Sequence, residues 1–342
     1  MLEIARAKTE ARPRQDQLIQ MATAHWVSRV LYVAAEMNLA DRLADVPRTA
    51  EELAQSTATD APSLYRMMRT LASLGLFTEG PSHRFSLTLL GEAFRTSTVR
   101  ATVLTVAGDL ITKSLEELPY SVQTGKSGFE KAFGMPFFEY LANHPAEASL
   151  FSETMVGFHG SEPAAVAAAY DFSQFETITD VGGATGNLLA TILGRHPQPR
   201  GILFDLPHVV REAPALIEAR GLLHRVTIET GNFFESVPDA AGAYLLSHII
   251  HDWSEAQCLT ILGNCRRAMK PNSRLLIIET VLPPGDTAHL GKMLDMIMLT
   301  LFTGAQERTE PEYRALLDKA GFRLARVVPT ESAVSIVEAF PA

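Results

Sequence analysis

The spacing of hydrophobic positions divides the chain into two regions of different character. From about Asp16 to Ala169 they recur mostly at helical spacing, whereas from Thr177 onward short apolar runs alternate with helical segments. Several of these runs are almost continuously apolar, which is typical of strands covered on both faces. The second region therefore predicts a mainly parallel sheet flanked by helices. The six predicted strands read TITDV, GILFDL, RVTIETG, AYLLSHII, RLLIIETVL and RLARVVP.

The first region predicts a small helical domain with a hairpin. A helix spans Asp16 to Leu43, and its apolar residues fall on nearly every face, which favours burial, often against another subunit. Thr49 can cap a following helix together with Glu52, and Asp60 can cap the next one with Pro62 in its first turn. The segments GLFTEG and HRFSLT then indicate a hairpin. This order of elements is a winged-helix outline.

The charge pattern argues against the DNA-binding role that a winged helix suggests. The chain carries 39 acidic and 30 basic residues, a formal net charge of −9. Between Asp41 and Arg100, seven arginines are balanced by seven carboxylates, and the second helix of the outline offers only Arg66 and Arg69. A protein that binds a DNA groove needs a basic face. We therefore expect the wing to serve packing or dimerisation, and we expect no nucleic-acid partner.

Other features of the sequence predict a cytoplasmic protein with no membrane partner. No segment approaches the ~18 uninterrupted apolar residues of a spanning helix, and the N-terminal stretch MLEIARAKTEARPRQDQ has no apolar signal core. Cys258 and Cys265 stand seven residues apart on a helical pattern. They therefore share a face about two turns apart, too far for a disulfide, and we expect two buried thiols in a reducing compartment.

A glycine turn follows the first predicted strand, in the segment DVGGATG. Glycines let a ligand approach the backbone, and the helix that follows presents its N-terminus. A dinucleotide site needs a third small residue, but Asn187 stands there. Asp180, two residues before the pair Gly182 and Gly183 of this turn, suits a cationic amine better than a pyrophosphate. Asp205 ends the next strand, where an acid commonly binds both ribose hydroxyls. The set predicts S-adenosylmethionine as cofactor.

The segment HIIHDW supplies candidate catalytic residues. His251 lies at the carboxyl end of a predicted strand, which is the edge where parallel sheets bind ligands. A neutral histidine, with a pKa near ~6.5, can take the proton of a phenol, with a pKa near ~10, as the oxygen attacks an activated methyl group. Glu279 and Glu307 follow at similar positions, and we expect them to hold the imidazole in one tautomer.

Apolar and aromatic side chains predict the acceptor pocket. Methionine and phenylalanine at helical spacing are as often core as pocket residues, but as a group near the base they favour a flat aromatic acceptor. The candidates are Phe151, Met155, Phe158, Met298 and Phe302, and Asp252 beside the base is added to them.

A metal site at His248 and His251 is not expected. Residues three apart on a strand point to opposite faces, and the sequence offers no third ligand nearby. We therefore predict a metal-independent reaction.

Nearly the whole chain resembles the plant-type small-molecule O-methyltransferases, with their bacterial relatives and acetylserotonin O-methyltransferase. The resemblance implies a winged-helix dimerisation domain over residues 1–105, a Rossmann-like methyltransferase domain over residues 106–342, and a homodimer that methylates a small hydroxylated aromatic. The matching stretches are DVGGATG, FDLPHVV, GNFFESVP, HIIHDWSEAQCLTIL, AMKPNSRLLIIETVLP and GAQERTEPEYRALLDKAGF.

The same resemblance implies a role for individual residues. Gly182 and Gly183 fall on the family's glycine loop, and Asp205 with Leu206 on its ribose site. His251 falls on the catalytic base and Glu279 and Glu307 on its flanking acids, while Met155 and Met298 fall on a wall of the acceptor pocket. The remaining cofactor-site candidates are Asn232, Phe233, Ser247 and Trp253.

The chain departs from the family at several of these positions. Ala184 stands where glycine is frequent, and Asn232 replaces an aspartate that meets the adenine, so an amide oxygen must accept that hydrogen bond. Ser247 stands where plant members carry lysine, and Phe158 and Phe302 where polar residues are frequent. These changes indicate an apolar aromatic acceptor. Two other functions stay open, a family member with hydroxylase or pericyclic chemistry and a DNA-binding regulator.

Overall fold

The structure, a computed structural model, describes residues 14–239 and 241–342. The N-terminal stretch in which we found no signal core lies mostly outside these residues. The chain forms two compact units, one up to Thr112 with Leu141–Phe158 and the other from Lys113–Tyr140 with His159–Ala342. The predicted division between residues 105 and 106 stays a prediction. Within the described ranges, no helix combines the length and apolar character needed to cross a membrane.

The first unit contains the small sheet of the winged-helix outline. Three short antiparallel strands pair in the order β1-β3-β2. The elements up to Thr112 are α1 (Arg14–Ala22), α2 (Ala24–Glu36), α3 (Leu39–Arg42), β1 (Arg48–Thr49), α4 (Ala50–Thr57), α5 (Ala61–Ser73), β2 (Phe77–Glu79), β3 (Arg84–Leu87), α6 (Leu89–Ala93) and α7 (Ser97–Val106).

Both predicted helix caps and the hairpin are confirmed. The Thr49 hydroxyl accepts from the Glu52 amide at 3.3 Å while the Glu52 carboxylate accepts from the Thr49 amide at 2.9 Å. The Asp60 carboxylate accepts from the Ser63 amide at 2.9 Å. Reciprocal bonds of this kind satisfy amides that a helix start leaves without partners.

The single long helix predicted for Asp16–Leu43 is wrong, because the segment forms three helices. The first break falls at Thr23, and the second at Asn38, whose φ of 56° lies in the left-handed region that asparagine tolerates. The predicted burial is only partial within one chain: Ala34, Ala35 and Leu39 are buried, but Met21 is 73% and Trp26 63% exposed. An exposed apolar surface of this kind is typical of a subunit contact.

Six helices connect the small sheet to the large one. Gly125 and Gly134 end two of them in left-handed conformations, the usual role of glycine after a helix. These helices are α8 (Asp109–Glu116), α9 (Leu118–Thr124), α10 (Gly128–Phe133), α11 (Phe137–Asn143), α12 (Pro145–His159) and α13 (Glu162–Ala169).

The second unit is built on a seven-stranded sheet in the order β11-β12-β8-β7-β4-β5-β6. A two-stranded parallel pair, β9 and β10, lies beside it. The elements are β4 (Thr177–Val181), α14 (Asn187–Arg195), β5 (Arg200–Asp205), α15 (Ala213–Ala219), β6 (Val226–Thr230), β7 (Ala243–Ser247), α16 (Glu255–Ala268), β8 (Arg274–Glu279), β9 (Val281–Leu282), α17 (Leu290–Leu301), β10 (Arg308–Thr309), α18 (Glu310–Lys319), β11 (Phe322–Pro329) and β12 (Ser335–Pro341).

Strand β7 shows why the apolar runs are continuous. Tyr244 and Leu246 pack into the core that contains α16 and α18, whereas Ala243 and Leu245 pack into the core that contains α13 and α14. The sheet is therefore covered on both faces, as its sequence predicts. Both cysteines are free and buried in the first of these cores, as expected.

One strand of the seven-stranded sheet was not predicted from the sequence. Strand β12 runs antiparallel between β11 and β8. Its charged member Glu338 interrupts the apolar pattern, and in the fold the Glu338 carboxylate accepts from the Tyr170 hydroxyl at 2.7 Å and from Arg326 Nε at 2.5 Å. Those distant partners make a carboxylate compatible with a central strand.

Candidate active site

The glycine turn connects β4 to α14 as predicted. Gly182 and Gly186 adopt φ values of 75° and 78°, which glycine tolerates without strain. Ala184 has a φ of 48°, and this left-handed conformation costs an L-residue roughly 1–2 kcal/mol. The amides of Gly182 and Gly183 donate to the Phe204 carbonyl at 2.8 and 3.4 Å. The two glycines therefore let a ligand come close to the backbone of the turn, but their amide groups already donate within the protein.

Asp180 lies beneath this turn and is 1% exposed. Neither of its carboxylate oxygens has a hydrogen-bond partner among the described residues. Burial, and secondly the charge of Asp205, raise the pKa of Asp180 to about 7. A β-carbon on Gly183 would lie 2.6 Å from this carboxylate, so only glycine leaves room for it.

Asp205 ends β5, and two backbone amides fix its carboxylate. The amide of Ala184 donates at 3.0 Å and that of Leu206 at 2.7 Å. Burial raises the pKa of Asp205, although these amides and His208 oppose the shift. Each oxygen retains a second lone pair, which is what an acid needs in order to accept from two hydroxyls.

The segment after β6 borders the same turn. A β-carbon on Gly182 would lie 3.6 Å from Cε1 of Phe233, which places this aromatic ring beside the glycines. The Asn232 side-chain oxygen accepts from the Phe234 amide at 3.0 Å, so it caps its own loop. Ser247 is the last residue of β7, beside β4 in the sheet. The predicted cofactor contacts of these three residues stay predictions.

The residues around the turn fit S-adenosylmethionine in charge and in space. An orphaned, buried carboxylate at Asp180 suits a cationic amine, and a positioned carboxylate at Asp205 suits a pair of hydroxyls. No basic side chain makes a hydrogen bond to either acid in the described part of the chain, so a pyrophosphate has no counter-charge there.

His251 stands in a short 3-10 turn, Ile250–Asp252, three residues beyond the end of β7. Carboxylates approach both ring nitrogens. Nδ1 lies 3.2 Å from Glu307 Oε1 and 3.9 Å from Glu279 Oε2, while Nε2 lies 3.3 Å from Asp252 Oδ1. Among the residues that the structure describes, none makes a hydrogen bond with Nδ1. The three residues predicted as catalytic are thus brought together, and Asp252, predicted to meet the acceptor, lies against the base.

Glu279 fixes the backbone of the turn as much as the ring. Its Oε1 accepts from the amides of Ile250 at 2.6 Å and His251 at 3.2 Å. Its Oε2 accepts from the Tyr313 hydroxyl at 2.6 Å. Arg308, 1% exposed, donates to the Ile250 carbonyl at 2.9 Å. The sequence analysis missed Tyr313 and Arg308, although Arg308 follows Glu307 directly and could have been flagged by that neighbour.

The neighbouring carboxylates also affect the pKa of His251. Burial lowers this pKa, but the negative charges of Asp252 and Glu279 outweigh it, so the pKa lies well above its ordinary value. The surrounding acids therefore stabilise the imidazolium, which is the state that the ring reaches after it accepts a proton.

Aromatic rings contact one another around Trp253, which follows the base by two residues in the chain. The Trp253 ring meets Phe234 edge-on at 4.8 Å, and Phe302 stacks on Phe138 at 5.2 Å. Met298, on α17, lies one turn before Phe302. The other predicted pocket residues, Phe151, Met155 and Phe158, belong to the first unit. Their contact with an acceptor, like those of Met298 and Phe302, stays a prediction.

The prediction that His248 and His251 lie on a strand is wrong. Strand β7 ends at Ser247, so neither histidine lies on a strand, and their ring centroids are 5.5 Å apart. A third possible ligand is also present, because the Glu162 carboxylate lies 2.7 Å from His248 Nε2.

This arrangement places the second unit in the class of Rossmann-like, S-adenosylmethionine-dependent methyltransferases. Two family descriptions match the chain, an O-methyltransferase domain over residues 115–323 and an O-methyltransferase dimerisation domain over residues 19–97. The chain belongs to this O-methyltransferase family. It is an S-adenosylmethionine-dependent O-methyltransferase, and its winged-helix region is a dimerisation domain.

Individual relatives agree with this assignment. The phenazine O-methyltransferase of Lysobacter antibioticus is 43% identical over 96% of this chain and 97% of its own length. The solved structure of a mitomycin 7-O-methyltransferase is 34% identical, with a TM-score of 0.90 over 99% of this chain and all of that one. An O-methyltransferase of neocarzinostatin biosynthesis, solved with S-adenosylmethionine and 2-hydroxy-5-methyl naphthoic acid, is 32% identical, with a TM-score of 0.81 over 92% and 96%. These relatives give the non-methylating alternative no support.

Proposed function

We propose that this enzyme methylates a phenolic hydroxyl of a small aromatic metabolite, with His251 as general base. The observation that supports this best is the imidazole at the carboxyl end of β7, held within 3.2–3.9 Å of Glu307, Asp252 and Glu279. Of the relatives described above, one is named for phenazine and another was solved with a naphthoic acid, and both compounds are aromatic. S-adenosylmethionine, when bound, supplies a methyl group activated by its sulfonium.

The chain's own residues would hold the cofactor at the glycine turn. Asp180 faces its amine and Asp205 its ribose hydroxyls, with Leu206, Asn232 and Phe233 beside the adenosyl group. Gly182, Gly183, Ser247 and Trp253 complete this site. The carboxylate assigned to the cationic amine, that of Asp180, has no hydrogen-bond partner on either oxygen among the described residues.

His251 would take the acceptor proton on Nε2. Glu307 lies beside Nδ1 and stabilises the second N–H of the imidazolium that results. Glu279 fixes the turn that carries the ring through the Ile250 and His251 amides. Because the acids favour the imidazolium, the neutral base becomes more abundant, and the reaction faster, as the pH rises toward the raised pKa of His251.

The acceptor would contact Met298 and Phe302, with Asp252 at the reacting hydroxyl. Phe151, Met155 and Phe158 are proposed as further acceptor-binding residues on the basis of the sequence and the family resemblance. We propose residues 1–105 as the dimerisation domain and 106–342 as the catalytic domain of a cytoplasmic homodimer. The exposed apolar residues of α1 and α2, such as Met21 and Trp26, support a subunit contact there.

The test uses labelled S-adenosylmethionine and a panel of hydroxylated aromatics, followed by mass spectrometry of the products. The wild type should transfer label to a phenolic oxygen, and His251→Ala should lower kcat by about 10²–10⁴-fold. Binding of S-adenosylhomocysteine, measured by calorimetry, should stay unchanged in this variant. His224→Ala, at an exposed position, is the matched control. Label transfer that survives His251→Ala would remove the base from its role, and product formed without a gain of one methyl would overturn the reaction class.

A further inference from the structure

A second cluster of titratable side chains lies beside the base but takes no part in the proposed reaction. His159 ends α12, Glu162 begins α13, and His248 follows β7. The Glu162 Oε2 atom lies 2.9 Å from His159 Nδ1 and 2.7 Å from His248 Nε2. The two imidazole rings face one another with centroids 3.8 Å apart. Two imidazoles and one carboxylate thus converge from three separate positions of the second unit.

The backbone at His248 is strained. Its φ is 54°, a left-handed value that a histidine adopts only at some cost. The His248 amide donates to the Ile278 carbonyl of β8 at 3.1 Å, which holds the residue in this conformation at the edge of the sheet. Strain of this kind accumulates at functional sites, where the surrounding structure maintains it. The conformation brings the His248 ring to Glu162 rather than letting the strand continue.

We propose that His159, Glu162 and His248 form a binding site for one divalent transition-metal ion of the zinc class. Nitrogen and carboxylate donors select zinc, cobalt, nickel or copper over magnesium and calcium, which prefer oxygen alone. The ligand atoms of all three residues lie within 4.8 Å of one another. With metal–ligand bonds of about 2.0–2.2 Å, tetrahedral ligands stand roughly 3.3 Å apart, so the two hydrogen-bonded contacts need to open by only about half an ångström.

Three protein ligands leave one coordination position for water or for a donor atom of the acceptor. The side chains of His159 and His248 keep 31% and 19% of their exposure, so an ion can enter. A rival site is the group His251, Glu279 and Glu307, whose ligand atoms are also close together. There the carboxylate of Glu279 already accepts three hydrogen bonds, from two amides and the Tyr313 hydroxyl. The His159 cluster is therefore the better candidate.

The experiment uses the full chain, first dialysed against a chelator and then titrated with ZnCl₂ in a calorimeter. The wild type should bind one zinc ion per chain. Addition of CoCl₂ should give the visible absorption of a four-coordinate cobalt(II) site. Glu162→Gln and His248→Asn should each weaken zinc binding at least about 10-fold. Asparagine tolerates the left-handed backbone at position 248, so this variant keeps the local conformation.

Two matched controls separate the cluster from its surroundings. His251→Gln removes the ligand of the rival site, and His224→Asn removes an exposed histidine. Both should keep the zinc affinity of the wild type within about twofold. Circular dichroism of every variant confirms that it is folded, and Glu162→Gln carries the test alone if His248→Asn does not fold. The proposal is overturned if the wild type binds no stoichiometric zinc, or if His251→Gln rather than Glu162→Gln abolishes binding.

Discussion

The substitution Asp180→Asn tests the electrostatics of the cofactor site directly. Burial and the nearby Asp205 raise the pKa of Asp180 from 3.8 to about 7 in the folded protein. Asparagine has the same shape and cannot ionise. The folded state of the wild type therefore keeps a proton on Asp180 that the unfolded chain loses above pH 3.8. Consequently the wild type loses stability as the pH rises from about 4 to about 7, whereas Asp180→Asn has no such loss from this position.

The size of the effect follows from the pKa shift. Each pKa unit corresponds to about 1.4 kcal/mol, so a shift of about three units amounts to roughly 4 kcal/mol above pH 7. The wild type and Asp180→Asn can also differ in free energy of unfolding by an amount that does not depend on pH. Part of that amount comes from the different hydrogen-bonding needs of an amide and a carboxyl group. The change of the difference between the two proteins with pH, about 1.4 kcal/mol per unit between pH 4 and 7, isolates the ionisation.

The assay is urea unfolding of both proteins at pH 5, 6, 7 and 8, followed by circular dichroism. As the pH rises, the free energy of unfolding of Asp180→Asn should increase relative to that of the wild type. Asp171→Asn is the matched control, because hydrogen bonds from Ser173 lower the pKa of this exposed carboxylate. Asp171 is therefore ionised in both the folded and the unfolded state between pH 5 and pH 8, and the effect of its substitution should not change with pH in this range. Calorimetry should show weaker S-adenosylmethionine binding by Asp180→Asn. A stability difference that is flat from pH 5 to pH 8 would refute the reasoning.

Three further substitutions test neighbouring parts of the site. Glu307→Gln removes the charge nearest His251 Nδ1 and should lower kcat with little change in KM in steady-state assays; a change in KM alone would contradict its role beside the base. Ala184→Gly relieves the left-handed backbone and should stabilise the protein by up to about 1 kcal/mol in urea unfolding, whereas a loss of stability would show that the methyl group packs favourably. Tyr313→Phe leaves Glu279 without the hydroxyl that donates to it and should destabilise the protein by about 1–3 kcal/mol; unchanged unfolding would mean that the bond adds nothing.

Local patterns in the sequence were sufficient to predict six strands of the large sheet and the site residues that end or closely follow those strands. The continuous apolar runs predict six strands, and a turn with positive φ after β4 requires the glycines of DVGGATG. The positions of Asp205 and His251 follow because parallel strands present their carboxyl ends at one edge. Each of these inferences needs only a short window of sequence.

The rest of the site depends on residues that are distant in the chain. Glu162 meets His248 across 86 positions, and Tyr313 meets Glu279 across 34. No periodicity in the sequence links such pairs. The wrong assignment of His248 to a strand also concealed its contact with Glu162. Strand β12 was missed for a similar reason, because Glu338 looks unsuited to a buried strand until its partners Tyr170 and Arg326 are known.

Buried polar atoms without partners and left-handed residues other than glycine are concentrated, in the second unit, in and around the loops that follow β4 and β7. Of seven buried side-chain polar atoms without partners in the described ranges, four belong to Asp180, His251 and Glu307. Ala184 and His248, both left-handed, lie in the same two loops after β4 and β7. Buried polar atoms without partners cost free energy, and a ligand bound at this edge of the sheet would offset part of that cost. The two apolar cores must therefore supply the stability that this edge of the sheet lacks, and occupation of the glycine turn by a cationic ligand should recover part of it.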